Sequence, residues 1–303
     1  VLGKKFQTAP GGKGANQAVQ AAKLGAEVTM VGKVGNDAFG KELTGSAKAA
    51  GIDVSHVAVS QEEASAIGNI LLEVEEGKKS RNRIIVVPGA NMAIRPEDLE
   101  FLREEIGKYD MVLLQLEISM AINELVAGLA HEKGVPVMLN SAPYAPLPEE
   151  LLRHVTYLSP NEHEAASLTG IPIRSGKDGV NREDVTAAVR ALQEKGVKNV
   201  IITLGSNGAV VSNGEESHYM PCVDIVEVKD PTAAGDSFVG AFCTAVCAGL
   251  SPEEALAFSN YTATLTVSRM GAQPSLPTLE EVVALMKQDG FAGFDLSRLD
   301  VLK

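Results

Sequence analysis

The sequence predicts an α/β fold with a mostly parallel central sheet, helices on both faces of that sheet and a small β lid. Three observations lead there. Short β-rich runs alternate with amphipathic helical stretches along most of the chain, the pattern of repeated βαβ units. The run at 111–116 (MVLLQL) reads as an apolar strand covered on both faces. Residues 66–87 break the alternation, because two β-rich stretches flank Glu75-Glu76-Gly77-Lys78-Lys79 and read as a hairpin outside the main sheet.

Taken in order, the first helix is expected over 18–24, leaving a glycine-rich segment. A strand follows at 27–32 (EVTMVG), then a helix over 38–50 that Gly51 closes. The hairpin arms are 66–74 and 83–87. Next come the strand at 111–116, a helix over 118–133, a strand at 135–140 (VPVMLN), a short strand at 155–158 and a helix over 162–169. A helix over 184–195 and a strand at 199–204 (NVIITL) continue the series, with right-handed crossovers expected between parallel strands. The last third is mostly helical, over 234–250, 252–268 and 279–288. No internal repeat or low-complexity linker divides the chain, so residues 1–303 are expected to form one domain.

Composition narrows the function classes. The chain has 303 residues, 45% of them hydrophobic and 22% charged, which is enough to bury a large core. Its net charge of -12 argues against a nucleic-acid partner, which would call for Lys and Arg stripes. It leaves a nucleotide open, since backbone amides and a few cations build a phosphate pocket locally. Cys222, Cys243 and Cys247 make no disulfide framework, and Cys243 and Cys247 share a helical face as core residues do. No apolar run has membrane-spanning length and no signal-peptide pattern is visible, so the expectation is a cytoplasmic protein.

The common nucleotide loops do not fit. No Gly-Lys pair is followed by Ser or Thr, as a Walker A loop requires, and Gly12-Lys13-Gly14-Ala15-Asn16 runs into Gln17 where a dinucleotide fingerprint needs glycine. Two other glycine-rich segments remain. In 10–18 (PGGKGANQA), glycines let the backbone approach a ligand closely, and Lys13 and Asn16 offer groups that read sugar hydroxyls. Alone, the segment is equally a plain turn before a helix. In 230–238 (DPTAAGDSF), small residues at a helix start leave N–H groups aimed at one spot, reinforced by the helix dipole. That suits a transferring phosphoryl group, with Asp236 placed to take a proton from an attacking hydroxyl. Alone, Asp236 is more simply a first-turn capping carboxylate.

Together the two segments resemble the signatures of the pfkB-type carbohydrate kinases, the family that includes ribokinase and fructokinase. The string Gly11-Gly12-Lys13-Gly14-Ala15-Asn16-Gln17-Ala18 looks like the ribokinase branch, and the likeness covers essentially the whole chain. The resemblance implies a three-layer ribokinase-like fold and ATP-dependent phosphorylation of a small sugar, foremost D-ribose at its 5-hydroxyl. Kinases of deoxyribose, fructose, a keto-deoxy sugar acid or a nucleoside are the near alternatives, and a catalytically weak sugar- or nucleotide-binding protein is the alternative of another class.

Carried over residue by residue, the resemblance makes Asp236 the base and the amides of Ala233, Ala234 and Gly235 the anion hole. It places Gly12, Lys13, Gly14, Ala15, Asn16 and Glu117 at the sugar, Glu117 falling beyond the carboxyl end of its strand. It places Asn161, Thr203, Leu204, Gly205, Ser206, Asn207, Gly208, Gly235 and Asn260 at ATP. Glu164 would help hold Mg²⁺ through water. Asp230, Thr232, Thr266, Arg269, Gly271 and Ser275 match positions around a monovalent cation, K⁺, mostly through backbone carbonyls. The hairpin resembles a lid that covers the sugar, excludes water and joins a homodimer. Members of the family normally open with a strand carrying a sugar-binding Asp, and the expectation is that this strand is missing ahead of Val1.

Overall fold

In the computed structural model, residues 6–73, 81–176 and 179–303 are described. Six strands form the main sheet in the order β12-β11-β10-β7-β6-β5. Its parallel part is β5 (Val112–Leu114), β6 (Val137–Asn140), β7 (Tyr157–Ser159) and β10 (Asn199–Thr203). β11 (Ala209–Ser212) and β12 (Ser217–Met220) extend it as an antiparallel hairpin. Asn213-Gly214 between two short β-rich runs is the hairpin signal, and it was not part of the expectation.

Side-chain alternation along the strands divides the core into two layers. Val137 and Leu139 of β6, Val200 and Ile202 of β10 and Val210 of β11 face one layer. That layer holds α4 (Met120–Glu132), α5 (Glu149–His154), α6 (Glu162–Thr169) and α7 (Arg182–Glu194), with the single-turn α3 (Leu102–Glu105) at its edge. Met138, Ile201, Ala209 and Val211, the intervening residues, face the other. There lie α8 (Ala234–Cys247), α9 (Pro252–Val267) and α10 (Leu279–Gln288), packed around fully buried Phe242 and Phe258. Period-two alternation between two apolar layers is what a sheet buried on both faces demands. The expected three-layer arrangement is present.

α1 (Lys13–Lys23) lies against α8, where Gly240 leaves so little room that a Cβ there would stand 2.8 Å from the Gln17 carbonyl oxygen. β1 (Thr29–Gly35) and β2 (Asp53–Ser60) pair in parallel as a separate two-stranded sheet, with α2 (Ala38–Ala49) connecting them. β2 was not anticipated: DVSHVAVS mixes polar and apolar residues, and its exposure varies along the strand. β3 (Ile67–Glu73) and β4 (Arg81–Val87) form the expected antiparallel pair, while residues 74–80 between them lie outside the described set. β8 (Ser175–Gly176) and β9 (Gly179–Val180) make a two-residue ladder.

Element boundaries shift where local chemistry outweighs the apolar pattern. α1 begins at Lys13 instead of Ala18, so most of the glycine-rich motif is itself helical, and Gly12 at φ 96° turns the chain into it. α7 begins at Arg182, where Asn181 accepts from the amides of Glu183 and Asp184 as a cap. The carboxyl ends of β5, β6, β7 and β10 all open on one side, bringing the residues after them to a common edge.

Candidate active site

The site is built where α1, α8 and the carboxyl ends of the parallel strands meet. Glu117 follows β5, and its Oε2 accepts from the Lys13 amide at 2.8 Å. This joins the start of the glycine-rich helix to the sheet. Gly14 permits that approach: a Cβ there would sit 2.7 Å from the Gln115 Oε1. Burial pushes the Glu117 carboxyl above its ordinary value, with the Lys13 amide and charge opposing and Asp236 adding to the rise.

Asp236 stands in the first turn of α8, whose N-cap Ala233 adopts φ 61°. That is the left-handed region, unusual for a residue with a Cβ. The carboxylate does not cap the helix; no side-chain cap is present. It points instead to α1, with Oδ2 accepting from Asn16 Nδ2 at 2.8 Å and Oδ1 from Gln17 Nε2 at 3.1 Å. Burial raises its proton affinity, while the Lys13 charge and the two amide donors pull it down. The Ala234 amide donates to the Pro231 carbonyl at 3.2 Å, whereas Ala233, Gly235 and Asp236 have no amide acceptor among the described residues. Free amides beside a carboxylate and a helix dipole are able to hold an anion next to a proton acceptor.

Sequence reasoning missed three residues of this cluster. Gln17 also reaches Asn140 Oδ1 at 3.3 Å, and Gln115 Nε2 donates to Gln17 Oε1 at 2.6 Å. Asn140 in turn donates to the Ser159 carbonyl at 2.8 Å. A signal was available, since Gln115 and Asn140 are the polar residues in otherwise apolar runs ending at the sheet edge.

The proposed nucleotide residues lie on the neighbouring strand ends. Asn161 forms a parallel bridge with Thr203. Its side chain accepts from the amides of His163 and Glu164 as the cap of α6, and Glu164 Oε2 accepts from the Asn161 amide at 3.0 Å and the Ser141 hydroxyl at 3.3 Å. The turn 205–207 is closed by the Leu204 amide on the Gly208 carbonyl. Gly208 abuts residues 220–222, and Asn260 of α9 donates to the Pro221 carbonyl at 3.2 Å, joining the same region. Ser206 is exposed in that turn and Asn207 is half-buried.

The cation candidates gather around Asp230. Its Oδ1 accepts from the Thr232 amide and hydroxyl, and its Oδ2 accepts from the Gly271 amide at 2.9 Å. The Asp230 amide donates to the Val267 carbonyl and the Arg269 amide to the Thr266 carbonyl. The side chains of Thr266 and Arg269 turn elsewhere, to the Thr262 carbonyl and to Glu281. Ser275 is fully buried with its hydroxyl on the Ala272 carbonyl. Among the described residues no group of three or more His, Cys, Asp or Glu converges on a metal position.

Comparison with known proteins identifies the family. The profile of the pfkB family carbohydrate kinases matches residues 1–279. The chain is 40% identical over 286 residues to ribokinase from Bacillus subtilis, covering 94% of this chain and 90% of that one. It is 36% identical over 289 residues to ribokinase from Haemophilus influenzae, covering 95% and 90%. Among solved structures, Arabidopsis thaliana ribokinase complexed with ribose and ATP superposes with a TM-score of 0.85 at 36% identity, covering 95% of this chain and 90% of that one. The chain belongs to the pfkB family of carbohydrate kinases.

Proposed function

We propose that the chain transfers the γ-phosphate of ATP to the 5-hydroxyl of D-ribose, giving ribose 5-phosphate and ADP. Asp236 takes the hydroxyl proton as the sugar oxygen bonds to phosphorus and the bond from phosphorus to the ADP oxygen breaks. One observation supports this reading best: the buried Asp236 carboxylate is held by Asn16 beside free amides of the first turn of α8. Within 233–235, the free amides of Ala233 and Gly235 serve as the anion hole for the γ-phosphate, where the helix dipole favours developing charge, and the Ala234 amide joins them only by leaving the Pro231 carbonyl. Gly12, Lys13, Gly14, Ala15, Asn16 and Glu117 form the sugar side. Likeness to ribokinases favours ribose over its relatives.

On the nucleotide side we assign Asn161, residues 203–208, Gly235 and Asn260 to ATP. Glu164 acts on the Mg²⁺ of MgATP through water; its Oε2 is committed to Asn161 and Ser141, and Oε1 has no hydrogen-bond partner among the described residues. Held there, Mg²⁺ would supply positive charge to offset that of the phosphates. One carboxylate, Asp230, with surrounding backbone carbonyls near Thr232, Thr266, Arg269, Gly271 and Ser275 suits a hard monovalent cation, K⁺. Such a site orders the loop leading into α8. We take the chain as one domain whose lid, expected over 66–87, is represented among the described residues by β3 and β4. The exposed Ile67, Ile85, Val86 and Val87 on β3 and β4 suit a second copy of the chain. ATP use and free thiols fit the cytoplasm.

ADP release with MgATP and K⁺ across ribose, 2-deoxyribose, fructose, a keto-deoxy sugar acid and nucleosides tests this. The expected result is the highest kcat/KM with ribose. A tenfold higher value with another sugar reassigns the substrate, and no turnover with any sugar overturns the kinase reading. Replacing K⁺ by tetramethylammonium is expected to lower turnover.

A further inference from the structure

Gln17 is fully buried, yet it carries a polar amide into the interior. Its amide bridges three elements: Nε2 donates to Asp236 of α8 at 3.1 Å and to Asn140 of β6 at 3.3 Å, and Oε1 accepts from Gln115 beyond β5 at 2.6 Å. The polarity of this chain of bonds is determined from both ends. An ionised carboxylate only accepts, so Gln17 must present its NH₂ group to Asp236. Asn140 spends its own NH₂ on the Ser159 carbonyl and so also presents an oxygen to Gln17. Gln115 donates from the far side, which holds the Gln17 oxygen away from Asp236. A Gln17 turned over would set its oxygen against two acceptors.

We propose that Gln17, locked by Gln115, is a positioning residue that orients the Asp236 carboxylate and keeps it ionised, a role that rests on reading Asp236 as the base. Asn16 and Gln17 each take one lone pair of a different carboxylate oxygen, so the plane of the carboxylate is held and a further lone pair stays open to a hydroxyl. The charged groups that bear on Asp236 are Lys13 of α1, which favours ionisation, and Glu117 after β5, which acts on it as a like charge. β6 presents the neutral Asn140. Gln17 is thus a direct neutral donor to a carboxylate buried among these groups.

The test is kcat/KM for ribose against pH in the parent, Gln17→Met, Gln115→Met and Asp236→Asn, with the Tm of each. Gln17→Met is expected to move the acid limb up by about one pH unit, the loss of one donor to a charged acceptor, with activity recovering at high pH. Gln115→Met frees the Gln17 amide to turn and moves the limb the same way by less. Activity lost by an equal factor at every pH, with the limb unmoved, overturns the proposal. If Gln17→Met folds too poorly to assay, Gln115→Met at a half-buried position decides it alone by the same criterion. Asp236→Asn separates the two readings: activity retained there removes the base itself. Activity lost there, with the limb unmoved in both Gln variants, removes only the role of Gln17.

Discussion

Two carboxylates of this chain show how opposite environments give opposite behaviour. Asp236 is 8% exposed and its proton affinity is raised by burial. A base must be ionised, so kcat/KM is predicted to fall as pH drops through a value above the ordinary 3.8 of an aspartate. A pH–rate profile with an acid limb in the usual carboxylate range would contradict this. The stability linkage follows the raised direction: the contribution of Asp236 is complete below 3.8 and is lost as pH rises through its folded-state value. Asp236→Ala is predicted to cut kcat by about 10²–10⁴-fold with little change in fold, read by single-turnover kinetics alongside circular dichroism. Gly14→Ala should raise the sugar KM, because its Cβ would meet Gln115 Oε1 at 2.7 Å; an unchanged KM would show that Gln115 yields freely. At this scale the sequence could single out Asp236, Asn16 and Lys13 as candidates, because their motifs are local. Gln115 and Asn140 were not, because their meaning comes from residues 98 and 123 positions away.

At the scale of elements, the helices were read well because caps and apolar periodicity are local signals. Ser251 and Thr278 open α9 and α10 with reciprocal capping boxes. β2 was missed because its residues mix polarity, and the β11–β12 hairpin because strands of four residues draw their stability from the neighbour they pair with. The start of α7 shows an element held by charge. Asp184 accepts from the Arg174 amide, Nε and Nη2, and these bonds hold its carboxyl down at about 2. A depressed folded-state value contributes stability that is present above 3.8 and is lost as pH falls toward about 2. Asp184→Asn is therefore predicted to lower Tm at pH 7 and to reduce the acid sensitivity of unfolding between those limits. Equal pH slopes for parent and variant would count against it.

For the whole molecule, the sheet is the frame that brings distant residues to one edge. The two apolar layers are legible from the alternating strands, whereas the pairing of β1 with β2 as a separate sheet is not, because strand order is a long-range property. Phe242, fully buried and edge-on to Tyr157 at 5.6 Å between ring centroids, ties α8 to the sheet. Phe242→Ala is predicted to cost about 3–5 kcal/mol in denaturant unfolding; a cost under about 1 kcal/mol would mean the layer repacks around the cavity. At this scale the lid pair is predicted to join two copies. Val86→Asp should then shift the species seen by analytical ultracentrifugation from dimer to monomer, and a parent that is already monomeric contradicts the assignment.

The most direct measurement is ³¹P NMR of a reaction containing ATP, Mg²⁺, K⁺ and ribose. With the parent protein the account predicts a phosphomonoester coupled to the C5 protons of ribose, growing as ADP grows, and both signals growing at least about a hundredfold more slowly with Asp236→Ala. Inorganic phosphate in place of a sugar ester, or undiminished ester from Asp236→Ala, would contradict it.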